Sequence, residues 1–233
     1  MKDQHDRAAS WKLVKEYGVF DIPGSTIDYE QEICNEQSPC PGLVLLYARM
    51  GLHRYNLLEG TKFELSGVTK YVQSKGTCAC CYYITLDAID PAAVGSCFKL
   101  FRLKYQNKVL ADIFSCAMLP EFEVKESELQ DNDWILLYIE LAIAIVKNSE
   151  DKAFGPPKLE IVKVAMDANG EGLNAINAIF YVRYKDLNEA EIGKALDRFA
   201  IVRRRFHEDT QCFSLVGSQV TPNMDSQMKA LHL

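Results

Sequence analysis

Between Pro41 and Gly60 the apolar positions of PGLVLLYARMGLHRYNLLEG recur at helical period. Val44, Ala48, Gly51, Tyr55 and Leu58 fall on one face of the wheel, and Leu45, Tyr47 and Leu52 widen it. Pro41 near the start and Gly60 just past the end are the usual brackets of a helix. Gly51 costs about 1 kcal/mol against alanine in mid-helix, so its place on the stripe predicts a close approach of another element. Downstream the period changes to two. Phe63 and Leu65 share one strand face, Val68 and Val72 sit in the opposite phase, and Gly67 lies at the slip, which is how a β-bulge reads in sequence. CACCYYITLDAID alternates, with Cys80, Tyr82, Ile84, Leu86 and Ala88 on one side and Cys81, Tyr83, Thr85 and Asp87 on the other. Phe98 to Tyr105 and Val109 to Leu119 then read as a hairpin turning at Gln106-Asn107-Lys108. A helix followed by an antiparallel meander predicts an α+β fold in which a sheet wraps one helix.

The flanking segments extend this pattern. Met1 to Gly18 offers a short amphipathic helix, with Ala8, Trp11, Val14 and Tyr17 loosely in register. Asp21 to Cys40 is polar, acidic and rich in turn residues, and reads as a loop. Asp131-Asn132-Asp133 supplies an N-cap cluster for Trp134 to Lys147, which is apolar on nearly every face except Glu140 and is either a deeply buried helix or a strand. Two strands follow, Leu159 to Asp167 and Leu173 to Lys185, joined at Asn169-Gly170; the second places Ile176, Ala178, Phe180, Val182 and Tyr184 on one face. Arg198 to Phe206 and Cys212 to Val216 form a last hairpin, and Ser218 to Leu233 is an unpatterned tail. FKLFRLKYQNKVLADIFSC and FAIVRRRFHEDTQCFSLVG share an aromatic start, a basic middle and an apolar return, which suggests a degenerate tandem repeat. The expected division is 1–40 (helix and acidic loop), 41–120 and 121–217 (two helix-plus-meander units), and 218–233 (tail).

Composition narrows the function classes. The 233 residues are 48% hydrophobic and 25% charged, ordinary for a globular chain, and a net charge of −6 argues against non-specific binding to nucleic acid or to an anionic membrane. MKDQHDRAAS lacks the apolar core of a signal peptide and reads as mature from Met1. The apolar run from Trp134 to Val146 is interrupted by Glu140 and falls short of the roughly 20 residues needed to span a bilayer. In such an intracellular chain, cytoplasmic or nuclear, the 8 cysteines read as reduced apolar residues.

Candidate chemistry is sparse. GEGLNA, from Gly170, matches a dinucleotide loop but is followed by β-branched and aromatic residues rather than a helix. DANGEG, from Asp167, begins like a calcium loop, yet its closing carboxylate position is Ala178. Cys78 and Cys80 share a strand face from which Cys81 points away, so they do not make one tetrahedral site. No catalytic residue, cofactor or metal site is predicted, and no enzyme activity. Arg203 and Arg205 share one strand face with Arg204 opposing them; a solvated strand answering nearby carboxylates accounts for the run, with an anionic partner or nucleic acid as the alternative.

The segments GLHRYNLLEG, YYITLDAIDP, NDWILLYIELAIAIV and DRFAIVRRRF resemble an uncharacterised plant family, largely of crucifers, grouped as male-sterile-five-like or embryo-defective proteins and described as cystatin/monellin-like. The resemblance runs from about Pro41 to Gly217. It implies a helix gripped by an antiparallel sheet, a non-catalytic interaction protein with an unidentified protein partner, and a link to plant reproductive or embryo development. The cystatin likeness also implies an alternative, inhibition of papain-type cysteine proteases. The first wedge loop of such inhibitors would correspond to Gln73-Ser74-Lys75-Gly76, one residue short and without its valine. The second would correspond to Gln106-Asn107-Lys108, which has no tryptophan. Partner binding is therefore expected at Gln73, Lys75, Gly76, Asn107, Arg203 and Arg205, on exposed hairpins and sheet edges.

Overall fold

The structure, a computed structural model, describes residues 2–75, 81–93, 98–106, 122–130, 132–147, 158–168, 171–187, 197–207 and 212–219. The chain divides into two compact units, Met1–Lys108 and Val109–Leu233, each built on one antiparallel sheet, so the fold is α+β.

In the first unit, helix α1 (Lys2–Tyr17) leads through a short 3-10 turn (Val19–Asp21) to strand β1 (Tyr29–Ile33). Helix α2 (Gly42–Glu59) follows, then β2 (Glu64–Ser74), β3 (Cys81–Ile89) and β4 (Phe98–Gln106), paired in the order β1-β2-β3-β4. The helix runs between Pro41 and Gly60 as its brackets predict, and Gly60 closes it in the left-handed region at φ 65. Asn56 sets the exit: its side chain donates to the Phe63 carbonyl at 2.8 Å and accepts from the Thr61 hydroxyl and the Phe63 N–H. The buried set of α2 is broader than the predicted stripe. Val44, Tyr47 and Ala48 are buried as expected, but so are Leu46 and Met50 from outside it, while Leu58 is exposed. Gly51 is half-buried.

α2 packs across β2, β3 and β4, with the Tyr47 ring 5.1 Å from that of Tyr82. The predicted phase of β3 holds, since Tyr82, Ile84, Leu86 and Ala88 are buried on that side. β2 carries two bulges, at Ser66 and at Thr69, where register with β3 shifts. The opposite face of the sheet is covered by the 3-10 turn, whose Phe20 ring lies 5.5 Å from that of Tyr83. Asp21 accepts a hydrogen bond from Lys70 at 2.6 Å and pairs with Arg102 at 2.9 Å. Lys70, Thr85 and Arg102 stand opposite one another across β2, β3 and β4, so one carboxylate bridges β2 to β4 over β3. The Lys70 ammonium hydrogen-bonded to it holds the Asp21 carboxyl below its usual range.

Two expectations for the N-terminal region are corrected. In α1 the residues turned inward are Ser10, Leu13 and Val14, whereas Trp11 and Tyr17 are 61% and 48% exposed; Ser10 is tied to Thr26 by a 3.0 Å hydrogen bond, a polar anchor that an apolar count cannot detect. The acidic stretch after Asp21 is not all loop, because it contains β1, a strand recruited by pairing with β2 rather than by its own apolar pattern.

In the second unit, β5 (Phe122–Glu123) precedes α3 (Glu126–Gln130) and α4 (Trp134–Lys147). β6 (Leu159–Asp167), β7 (Ala178–Asp186), β8 (Asp197–His207) and β9 (Cys212–Gln219) then complete a sheet of order β5-β6-β7-β8-β9. Trp134 to Lys147 is thus a helix, buried on nearly every face from Trp134 to Ala144, and packs on β8 and β9. β7 starts at Ala178, so Leu173 to Asn177 is not strand and Ile176 is exposed; the rest of that predicted face, from Ala178 to Tyr184, is buried. The other side of the sheet is buried as well, with Ala165, Tyr181, Phe199 and Ile201 forming one cluster. In both units an edge strand precedes the helix, and the first strand after the helix pairs with that edge strand and carries a bulge, at Val162 in β6. The return strand expected from Val109 to Leu119, the turn at Asn169-Gly170 and the tail beyond Gln219 lie outside the described residues.

Two glycines separate backbone need from packing need. A Cβ on Gly67 would meet nothing within 4 Å, and its φ is not in the left-handed region, so its bulge does not require glycine. A Cβ on Gly217 would lie 2.6 Å from Cβ and 2.8 Å from Cα of Ala142, where β9 meets α4. Gly67→Ala is expected to leave stability within about 0.5 kcal/mol, and Gly217→Ala to lower it by roughly 1–3 kcal/mol through overpacking. Urea denaturation of the two variants checks this, and equal effects would contradict the close approach at Gly217.

Candidate interaction edge

β1 ends the first sheet. Its five residues pair antiparallel with β2, from Tyr29 opposite Ser74 to Ile33 opposite Lys70. Hydrogen bonds just outside the strand fix which backbone groups face β2: the Lys75 N–H donates to the Asp28 carbonyl at 2.7 Å, and the Cys34 N–H donates to Thr69 at 2.9 Å. Alternation in an antiparallel ladder then turns Glu30 and Glu32 toward β2 and Tyr29, Gln31 and Ile33 away from it. Thr26 occupies the Tyr29 end, accepting from the Tyr29 N–H through its hydroxyl and donating its own N–H to the Tyr29 carbonyl. Past Ile33 the chain folds back, with Asn35 bonded to Ser38 and capping the Gln37 and Ser38 amides. Among the described residues nothing pairs with the outer side of β1, so Gln31 and Ile33 each present one N–H and one C=O there. The Ile33 side chain beside them is 60% exposed.

The edge is acidic. Residues 21–40 hold Asp21, Asp28, Glu30, Glu32 and Glu36 and no Lys or Arg. Asp28 reaches Arg7 at 3.9 Å and Glu30 reaches Lys75 at 3.5 Å, both loosely, while Lys70 is turned to Asp21. Tyr71, opposite Glu32, is a phenol and gives that carboxylate no countercharge; burial first and then the charge of Glu32 push its pKa up to about 12. Behind the strand, the Cys34 and Cys40 thiols are free and hydrogen-bonded to each other, and burial raises both. Among the described residues no group of three or more His, Cys, Asp or Glu side chains could hold a metal ion, and no helix is long and apolar enough to cross a membrane.

The predicted site residues separate. Gln73 and Lys75 lie beside β1: Gln73 is inside β2, opposite Glu30 and Tyr82, and Lys75 pairs with Glu30. Gly76 and Asn107 lie outside the described residues. Arg203 and Arg205 belong to the other unit, on the β8 face opposite Arg204, Arg203 half-buried and Arg205 exposed.

Between them Arg204 is 2% exposed. Its guanidinium carbon lies 5.0 Å from the Phe180 ring centroid, 5.3 Å from Trp134 and 5.9 Å from Tyr138. It donates to the Leu173 carbonyl at 2.6 Å and the Tyr138 hydroxyl at 3.0 Å, and Nε has no partner. Cation–π attraction and two hydrogen bonds thus hold a charge in the core. Alternation alone conceals it, because Phe199 and Ile201 make the opposite phase of β8 equally apolar. The signal available was a charge in phase with Ala200 and Val202.

Comparison with known proteins places these features. A family model described as Protein MS5 matches residues 112–215. UPF0725 protein At3g25080 of Arabidopsis thaliana is 62% identical over 97 residues, 40% of this chain and 56% of that protein. UPF0725 protein At1g02770 of Arabidopsis thaliana is 32% identical over 260 aligned positions, covering 90% of this chain and 81% of that one. The crystal structure of MS5 from Brassica napus superposes with a TM-score of 0.61 at 27% identity, over 78% of this chain and 100% of that one.

The buried arginine is separable from its neighbours by mutation. Arg204→Ala is expected to lower unfolding free energy by roughly 3 kcal/mol, since it removes the hydrogen bonds to Tyr138 and Leu173 and the packing against three rings and leaves a cavity. Arg203→Ala and Arg205→Ala are expected to stay within about 0.5 kcal/mol. Urea midpoints of the three variants decide, and an Arg204→Ala midpoint no lower than the other two would contradict its buried role.

Proposed function

The chain belongs to the plant MS5 (UPF0725) family, and from that premise we propose that it is a non-catalytic, intracellular interaction protein that docks a protein partner along the open side of β1. The observation that carries this reading is the pair of outward backbone positions at Gln31 and Ile33, beside an exposed isoleucine and between two locally fastened ends. An open strand edge is a ready template for another chain. The printed names of the relatives carry no enzyme class, which supports a non-enzymatic role. We also read each unit as cystatin/monellin-like and the pair as a tandem repeat. Edge strand, helix and meander recur in the same order, and the strand sequence β5-β6-β7-β8-β9 is that expected of a sheet gripping α4. We also propose that this activity serves plant reproductive or embryo development.

The cystatin likeness keeps protease inhibition as the second reading. Gln73 and Ser74 are the last paired residues of β2 rather than the tip of a loop, which leaves the first wedge without its glutamine. A papain titration with micromolar protein is expected to show no inhibition.

Gln31→Pro removes an outward N–H while leaving the β1–β2 ladder intact, a position where an edge strand tolerates proline. Affinity purification from crucifer flower buds, run in parallel with wild type and Gln31→Pro, is expected to recover a reproducible partner with the first and to lose it with the second. Equal recovery with both, or turnover of a substrate by the purified protein, would overturn the reading.

A further inference from the structure

The chemistry of β1 specifies its occupant beyond the bare edge. Period two places Glu30 and Glu32 on one face of the strand and Gln31 and Ile33 on the other. For a strand added on the open side, Gln31 and Ile33 form the hydrogen-bonded pairs. Glu30 and Glu32 then fall at the non-hydrogen-bonded pairs, where Cα atoms approach to about 4.5 Å and side chains are closest. Charge at the facing positions is felt most strongly there, and like charges directly opposite are destabilising.

A second copy of this chain is a poor fit for the same reason. An antiparallel β1–β1 pair centred on Gln31 sets Glu30 opposite Glu32 twice. Shifting it one pair either way sets Glu30 opposite Glu30 or Glu32 opposite Glu32. Each of these three registers therefore opposes carboxylates. The acids bar self-assembly at an edge that would otherwise invite it.

Resting on the reading of β1 as the docking edge, we infer that its open side takes an extended basic segment of another protein as an added strand, with Lys or Arg facing Glu30 and Glu32 and apolar residues facing Ile33. The partner's cations answer a stretch that contains no Lys or Arg of its own. Glu32 is exposed and opposite a neutral tyrosine, and Glu30 is held by Lys75 at 3.5 Å, an exposed contact that an incoming cation can replace. The alternating apolar side chains of the partner cover Ile33, the most exposed large apolar side chain of the strand.

The test uses the full chain and short acetyl-capped, fluorescein-labelled peptides, read by fluorescence anisotropy at low and high salt. A peptide alternating lysine and valine is expected to bind, and to weaken as salt rises. N-methylation of its alternate amides is expected to weaken it by about tenfold or more, because those amides carry the ladder hydrogen bonds. The double variant Glu30→Lys, Glu32→Lys is expected to reverse the preference toward a peptide alternating glutamate and valine. If the acidic peptide binds the wild-type chain as well as the basic one, and N-methylation abolishes both, strand docking stands and the basic preference is overturned. If the basic peptide binds and N-methylation has no effect, the contact is a diffuse charge patch and strand addition is overturned. If neither peptide binds at millimolar concentration, the docking edge itself is overturned.

Discussion

Asp21 fastens the N-terminal segment across the first sheet and so covers the face opposite α2, while β1 stands at the sheet's edge. One carboxylate meets Lys70 on β2 and Arg102 on β4, on either side of Thr85 in β3. Pairs this exposed contribute only about 0–1 kcal/mol each, so their consequence is positional. The 3-10 turn is held over the face opposite α2, with Phe20 against Tyr83 and Ile22 fully buried. With the helix on one face and this segment on the other, binding through either face of the sheet would require unpacking. The outward backbone of Gln31 and Ile33 needs no such rearrangement.

Each unit also confronts a cation with a cluster of three rings, with different outcomes. In the first, Lys99 sits 4.9 to 5.2 Å from the rings of Tyr55, Phe63 and Phe101 and donates to the Tyr55 hydroxyl at 2.8 Å, its head in solvent at the end of the core. In the second, Arg204 is enclosed by Trp134, Tyr138 and Phe180. A lysine can lay its stem over rings and leave its ammonium hydrated. The arginine is more weakly hydrated and planar, which suits it to stacking and to the dry position.

Periodicity made legible what packing enforces over several turns. The ends of α2 followed from Pro41 and Gly60, the start of α4 from the Asp-Asn-Asp cluster, and the inward phase of β3 from Tyr82, Ile84, Leu86 and Ala88. The relatives and the MS5 crystal structure agree with the family inferred from GLHRYNLLEG and its companion segments. Features set by a distant partner were not legible. YEQEI is acidic and has no apolar stripe, so β1 exists because β2 offers it a ladder. Gly217 looks like any strand glycine until Ala142 of α4 is laid against it. Trp11 and Tyr17 promised an apolar face on α1, yet the helix is tied down through Ser10 and Thr26. The candidate site belongs mostly to this second class: Gln73 and Lys75 read as loop residues in the sequence, whereas in the fold they border the open strand.

The openness of β1 can be measured amide by amide. Hydrogen exchange followed by NMR on the unliganded chain is predicted to alternate along the strand, with slow exchange at Glu30 and Glu32, whose N–H groups face β2, and fast exchange at Gln31 and Ile33. Strong protection at Gln31 and Ile33 in the free protein would mean that their backbone groups are already taken, and the docking edge would not exist.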